Sequence, residues 1–139
     1  MRQESVLVVD DNADCRGLAV AALEQEGFTV REACGAEEAL ATLRESGTPH
    51  CLMVMDLMMP GMTGWDLVAA VRSDPLLRDN PIIVTTAVPE DAPSDVDAVL
   101  EKPFDIDALV RIIERHCSRF RQPARTPAAG SDLAVTPYY

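Results

Sequence analysis

CLMVMDLMMPGMTG, residues 51–64, decides how this chain folds. An apolar run from Leu52 to Met55 ends in the carboxylate of Asp56, and Pro60, Gly61 and Gly64 mark the turn behind it. A buried parallel strand delivers a charged group in this way to the carboxyl edge of an open α/β sheet, where such folds place their sites. Asp is also a common helix cap, and on this stretch alone Asp56 reads equally well as the cap of the next helix. Two further strand ends separate the readings. Val6–Val9 is a second apolar run, closed by Asp10 and Asp11, and Val99-Leu100-Glu101 runs into Lys102 and Pro103.

Lys102 is the only lysine in the sequence, beside eleven arginines. A chain that otherwise takes its positive charge from Arg has kept a compact ammonium on a flexible stem at this one place. A planar, rigid guanidinium does not replace that group in a tight site.

Working outward, strands and helices alternate. Strands are predicted over Ser5–Asp10, Phe28–Ala33, up to Asp56, Pro81–Thr86 and about Ala98–Glu101. Helices are predicted over Ala13–Glu26, capped by Asn12 and stopped by Gly27, over Ala36–Ser46, ended by Gly47, over Trp65–Arg72, and from Asp105 onward. Leu18, Ala19, Ala22 and Leu23 supply the apolar stripe of the first helix, and Ile106, Leu109, Val110, Ile113 and Cys117 that of the last. The pattern predicts an α/β fold: a five-stranded parallel sheet, doubly wound, with helices on both faces. The interval between Thr86 and Lys102 is too short for the regular alternation. It holds fifteen residues, whereas a strand takes ~5, an average helix ~11, and two connections several more. Pro89 and Pro93 oppose a helix further, so the fourth helix is expected to be one turn or missing.

Length suits one domain over residues 1–117 and a flexible tail over 118–139, where the pattern dissolves into Arg, Pro, Ala, Thr and Gly. Net charge is −11, and the tail carries +2 of its own, leaving −13 on the body. Such a surface repels nucleic acid. No stretch is long enough to span a membrane, and Met1–Glu4 lack the apolar region of a secretory signal. Cys15, Cys34, Cys51 and Cys117 show no CxxC spacing and are expected as reduced, packed thiols of a cytoplasmic protein. His50 and His116 are isolated from each other, and His116 is expected to be solvated.

Taken together, the strand ends bring Asp10, Asp11 and Asp56 to one sheet edge, with Thr86 and Lys102 ending neighbouring strands. Two carboxylates ~5 Å apart repel by roughly 3 kcal/mol at an effective dielectric near 20. Three are tolerated only when protonated or bridged by a cation. Hard oxygen ligands with room for water suit Mg²⁺, and an acid cluster beside an ammonium and a hydroxyl suits phosphoryl transfer. Asp56, the central acid, is then the nucleophile that forms an acyl phosphate.

LVVDD (7–11), MDLMMPGMTG (55–64), PIIVTTA (81–87) and EKPF (101–104) resemble, in order and each at a strand end, the signature blocks of the receiver domain of two-component response regulators. The resemblance covers about residues 4–117. It implies the flavodoxin-like (βα)5 fold, with Asp56 accepting phosphate from the phosphohistidine of a sensor histidine kinase or phosphotransfer protein. It implies Mg²⁺ held directly by Asp11, through water by Asp10, and by Asp56 and the backbone carbonyl of Met58. Lys102 would pair with the phosphoryl group across a cis Lys102–Pro103 bond, and Thr86, followed by alanine, rather than Thr85, would be the switch hydroxyl. The chain would act as a signalling switch rather than a turnover enzyme, a monomer or weak homodimer that hands its signal to an unidentified downstream protein. The family normally couples its hydroxyl to an aromatic three positions before the lysine. Val99 stands there, and the usual output face, built on the fourth helix, is shortened and acidic (Glu90, Asp91, Asp95, Asp97, Glu101, Asp105, Asp107); that stretch also reads as a solvated surface.

Two other classes compete. A receiver-like scaffold that binds partners without phosphorylation fits Val99 and the short fourth helix, and the intact acid cluster argues against it. A phosphatase of the haloacid dehalogenase type needs an acid two residues past its nucleophile, where this chain has Met58. There is no GxGxxG and no P-loop. Met53 and Met55 read as core, Met58, Met59 and Met62 as adaptable loop contacts, and Trp65 as a packing residue near the site. The segment Leu133–Tyr139 is apolar for a tail and is expected to dock on surface left bare by the missing helix or on a neighbouring chain.

Overall fold

A computed structural model of the protein describes residues 5–46 and 51–121. Elements follow in the order β1 Ser5–Val9, α1 Ala13–Gln25, β2 Thr29–Ala33, α2 Ala36–Ser46, β3 Cys51–Asp56, α3 Gly64–Ser73, β4 Ile82–Thr86, a 3₁₀ turn Pro89–Asp91, β5 Ala98–Glu101 and α4 Ile106–Arg121. All four strand pairings are parallel, in the order β2-β1-β3-β4-β5. Strand order reverses between β1 and β3, the point at which such sheets open a crevice beyond their carboxyl ends.

Strand periodicity sorts the core into two layers. Leu7, Val9, Met53, Met55, Ile82 and Val84 face one side with Leu40 and Leu43 of α2 and Leu67 and Val71 of α3. Val6, Val8, Leu52, Val54 and Ile83 face the other with Leu23 of α1 and Leu109, Val110 and Ile113 of α4. Each fully buried aliphatic side chain contributes about 1.5–3 kcal/mol, so the central strands, apolar on both faces, hold the fold together.

Helix ends follow their local chemistry. The Asn12 side chain accepts a hydrogen bond from the Cys15 amide at the start of α1, and Gly27 closes it with φ +92°. Thr63 and Asp66 form a capping box on α3. Thr63 therefore caps that helix, and Asp56 does not. Gly64 is required by a close approach: a Cβ there would lie 2.7 Å from the Leu57 carbonyl oxygen and 2.8 Å from Leu57 Cα.

The fourth crossover is the 3₁₀ turn and no α-helix. Ala92 and Val96 cover part of the α2/α3 layer in its place, while Val99 remains 36% exposed. Some expectations are corrected. Leu18 is 68% exposed, because its position on α1 is turned well away from the stripe centred on Leu23. Cys15 and Cys34 are free but exposed rather than packed: Cys15 sits in the first turn of α1, and Cys34 just beyond the end of β2. Helix α4 runs on to Arg121, past residue 117, since Ser118–Arg121 include neither proline nor glycine to oppose it. The proposed cap Gly47, His50 and the tail segment Leu133–Tyr139 lie outside the described residues, as do the side chains of Cys51 and Cys117. Among the described residues, no helix is long and apolar enough to cross a membrane.

Candidate functional site

Asp10 follows β1, Asp56 ends β3, Thr86 ends β4 and Lys102 follows β5. Because all these strands run parallel, the four side chains share the carboxyl edge of the sheet. Asp10, Asp11 and Asp56 each offer an oxygen, and these oxygens lie within 4.8 Å of one another. Asp10 and Asp56 are each 9% exposed, whereas Asp11 faces solvent. The Lys102 ammonium lies 3.3 Å from Asp56 Oδ2, and the Met58 amide donates to Asp56 Oδ1 at 3.3 Å. The Asn12 amide donates to Asp10 Oδ1 at 2.9 Å, fixing that carboxylate at the mouth of α1.

Burial pushes the Asp56 carboxyl above its ordinary range, with the Asp10 charge adding to the shift; the Lys102 charge and the Met58 amide oppose it without cancelling it. Three carboxylates against one ammonium leave the ionised cluster two charges short of neutral. The donor set is all oxygen, compact and open on the Asp11 side. It fits a small divalent cation that keeps part of its water, as Mg²⁺ does.

Thr86 is 1% exposed, and its hydroxyl accepts a hydrogen bond from the Val88 amide at 3.1 Å. Its carbonyl accepts from the Lys102 amide at 2.8 Å, which locks the end of β5 to the end of β4 immediately before the cis Lys102–Pro103 peptide. Thr85 pairs in register with Asp56, but its hydroxyl is turned to the Met55 carbonyl at 3.4 Å. Met58 stands two residues past Asp56 with its side chain 61% exposed.

Three contacts had no counterpart in sequence reasoning. Arg16 of α1 donates to the Asp10 carbonyl at 2.7 Å and pairs with Glu32 at 2.9 Å, placing a cation beneath the acid cluster. The Trp65 indole donates to the Asp91 carbonyl at 3.0 Å. Arg72 donates to the carbonyls of Asp95, Arg78 and Asn80 and to the Asp97 carboxylate at 3.0 Å. Asp97 in turn accepts from the Ile82 amide at 2.8 Å. The acidic stretch is thus not wholly a solvated surface, since Asp95 and Asp97 are partners of Arg72. Only Asn12, a cap four residues before Arg16 on the first turn of α1, hints at the first of these contacts; the other two join segments far apart in the chain.

Comparison with known proteins bears on the family and the fold. The family model described as "Response regulator receiver domain" matches residues 6–114. The chain is 36% identical over 126 residues to an uncharacterised 14.6 kDa protein of Leptolyngbya boryana, covering 86% of this chain and 95% of that one. It is 35% identical over 117 residues to the chemotaxis protein CheY of Pseudomonas aeruginosa, covering 79% and 93%. Some relatives are longer: the chain spans 26% of the DNA-binding transcriptional regulator NtrC of Salmonella typhimurium. Among solved structures, the response regulator protein TrrA of Thermotoga maritima, in complex with Mg(2+)-BeF, superposes with a TM-score of 0.72 at 29% identity, covering 81% of this chain and 98% of that one.

Proposed function

The chain belongs to the response regulator receiver family, and from that premise we propose that Asp56 is the phosphoryl acceptor of a Mg²⁺-dependent signalling switch. One observation carries the reading: the Asp56 carboxylate lies 3.3 Å from the ammonium of the chain's one lysine, Lys102, and its ligand oxygen lies within 4.8 Å of those of two further acids. A carboxylate oxygen of Asp56 attacks the phosphorus of a phosphohistidine on a sensor histidine kinase or phosphotransfer protein. The phosphorus–oxygen bond forms as the phosphorus–nitrogen bond breaks. Its electron pair goes to the imidazole nitrogen, which takes a proton from solvent. Lys102 holds charge on the migrating group, and the Thr86 hydroxyl turns to donate to one of its oxygens. Asp10, Asp11, Asp56 and the Met58 carbonyl would hold Mg²⁺, which would supply the remaining positive charge.

The product is a modified surface rather than a released metabolite, so the protein works as a switch and not as a turnover enzyme. Its expected setting is the cytoplasm, as a monomer or weak homodimer, with a protein as its downstream partner. Incubation with acetyl phosphate and Mg²⁺, read by intact mass, should add a single phosphoryl group to the wild type and none to Asp56→Asn. A wild-type mass that stays unmodified overturns this reading and leaves that of a scaffold, which Val99 and the missing fourth helix favour.

A further inference from the structure

Given the phosphorylation reading above, the geometry points to Trp65 as the residue through which this receiver passes its signal: its indole bond to Asp91 is the contact that phosphorylation of Asp56 releases. Val99 is 36% exposed on β5 and has no ring that could turn into the space left by the Thr86 hydroxyl. A different path is continuous. Thr86 Oγ1 accepts from the Val88 amide. Val88 opens the 3₁₀ turn Pro89–Asp91, and its carbonyl accepts from the Asp91 amide at 2.9 Å. The Asp91 carbonyl accepts from the Trp65 indole. Trp65 is the second residue of α3, whose first amide, Gly64, donates to the Leu57 carbonyl at 3.1 Å, next to Asp56. Both ends of the path therefore return to the phosphoacceptor.

The path has two arrangements. Among the described residues, the Thr86 hydroxyl has Val88 as its side-chain hydrogen-bond partner and makes no bond to Asp56 or Lys102. In the arrangement we infer, the hydroxyl swings toward a phosphoryl oxygen on Asp56 and is drawn off the Val88 amide. That amide is then unpaired, and the short turn hung on it loses its anchor. Farther along, the segment is pinned by Arg72 at Asp95 and Asp97. Movement is thereby confined to residues 87–94, which are then held from outside by the packing of Ala92 on the α2/α3 layer and by the indole bond to Asp91. Pro89 and Pro93 stiffen the segment, so it moves as a flap and does not melt residue by residue.

Hydrogen exchange of the wild type, with intact mass taken on the same sample, tests this. Acetyl phosphate and Mg²⁺ should speed exchange across residues 87–94 by roughly fivefold, the factor for one lost hydrogen bond, and should shift the Trp65 emission. Mg²⁺ alone, or Asp56→Asn with donor, should do neither. Trp65→Phe should accept phosphate normally yet exchange fast across 87–94 with or without donor. Thr86→Ala should show no donor-dependent change in the segment, and Thr86→Ser should restore it. A wild type that gains the phosphoryl mass while 87–94 exchanges unchanged overturns the inference alone, as does Trp65→Phe exchanging like wild type. Absence of the mass increase overturns the phosphorylation reading and this inference with it.

Discussion

Asp56 carries a charge that its surroundings disfavour. Burial and Asp10 raise its pKa from the ordinary 3.8 despite Lys102, so ionising it costs the folded state more than the unfolded chain. The sign follows from linkage. Both states are protonated below the ordinary carboxylate value and the cost vanishes there; above the raised folded value it is fully present. Without Mg²⁺, Asp56→Asn should therefore unfold at a higher temperature than wild type at pH 7, and the two melting curves should converge as pH falls below about 3.9. A wild type that melts above the variant at pH 7 without metal would contradict this. The place of Asp56 at the carboxyl edge of the sheet was legible because a lone charge closing an apolar strand is a local pattern. Lys102 was legible by composition. Arg16 was not, because its partner is a backbone carbonyl, and any residue carries one.

At the scale of elements, α3 is the part on which the unusual half of the fold leans. Its Arg72 joins the 78–80 connection to the segment before β5 through four hydrogen bonds. Arg72→Ala should destabilise the protein by about 3 kcal/mol, the scale of losing charge-assisted bonds and leaving Asp97 partly buried without its cation. Urea unfolding measures it. Arg72→Lys should recover little, since one ammonium cannot serve four acceptors spread around a planar fork. Gly64→Ala sets two effects against each other. Alanine favours a helix by ~1 kcal/mol over glycine, but its Cβ would lie under 3 Å from two Leu57 backbone atoms. Backbone cannot swing aside, so the clash wins, and a net loss of roughly 1–3 kcal/mol is expected in the same unfolding measurement. The missing helix was legible by counting residues between Thr86 and Lys102 and noting two prolines. What fills its place was not, because Trp65 to Asp91 and Arg72 to Asp97 span 26 and 25 residues.

On the scale of the molecule, the acid cluster sits where the strand order turns back on itself, at the β1–β3 crevice. Like charges gathered there on a body of net charge −13 would make a bound divalent cation, as proposed above, a source of folding stability. The melting temperature should rise with the logarithm of Mg²⁺ concentration, by an amount equivalent to about 2.7 kcal/mol at a hundred times the dissociation constant. Asp11→Asn should lose that increment while melting no lower than wild type in chelator, because removing a like charge relieves repulsion. A Mg²⁺ response undiminished in Asp11→Asn would place the ion elsewhere.

Some features of this protein follow from the sequence by itself: the alternation of strands and helices, the parallel sheet, the acids and the lysine at strand ends, and the want of room for a fourth helix. All rest on short-range rules, the period of two in a strand, the steric demands of proline and glycine, and the length an element needs, which act between neighbours in the chain. Only the tertiary structure decided that Asp97 is held by Arg72 and that Trp65 reaches the turn which stands in for a helix. Those contacts depend on the relative placement of whole elements, set by how side chains interlock across two layers, and no local pattern of residues encodes that distance.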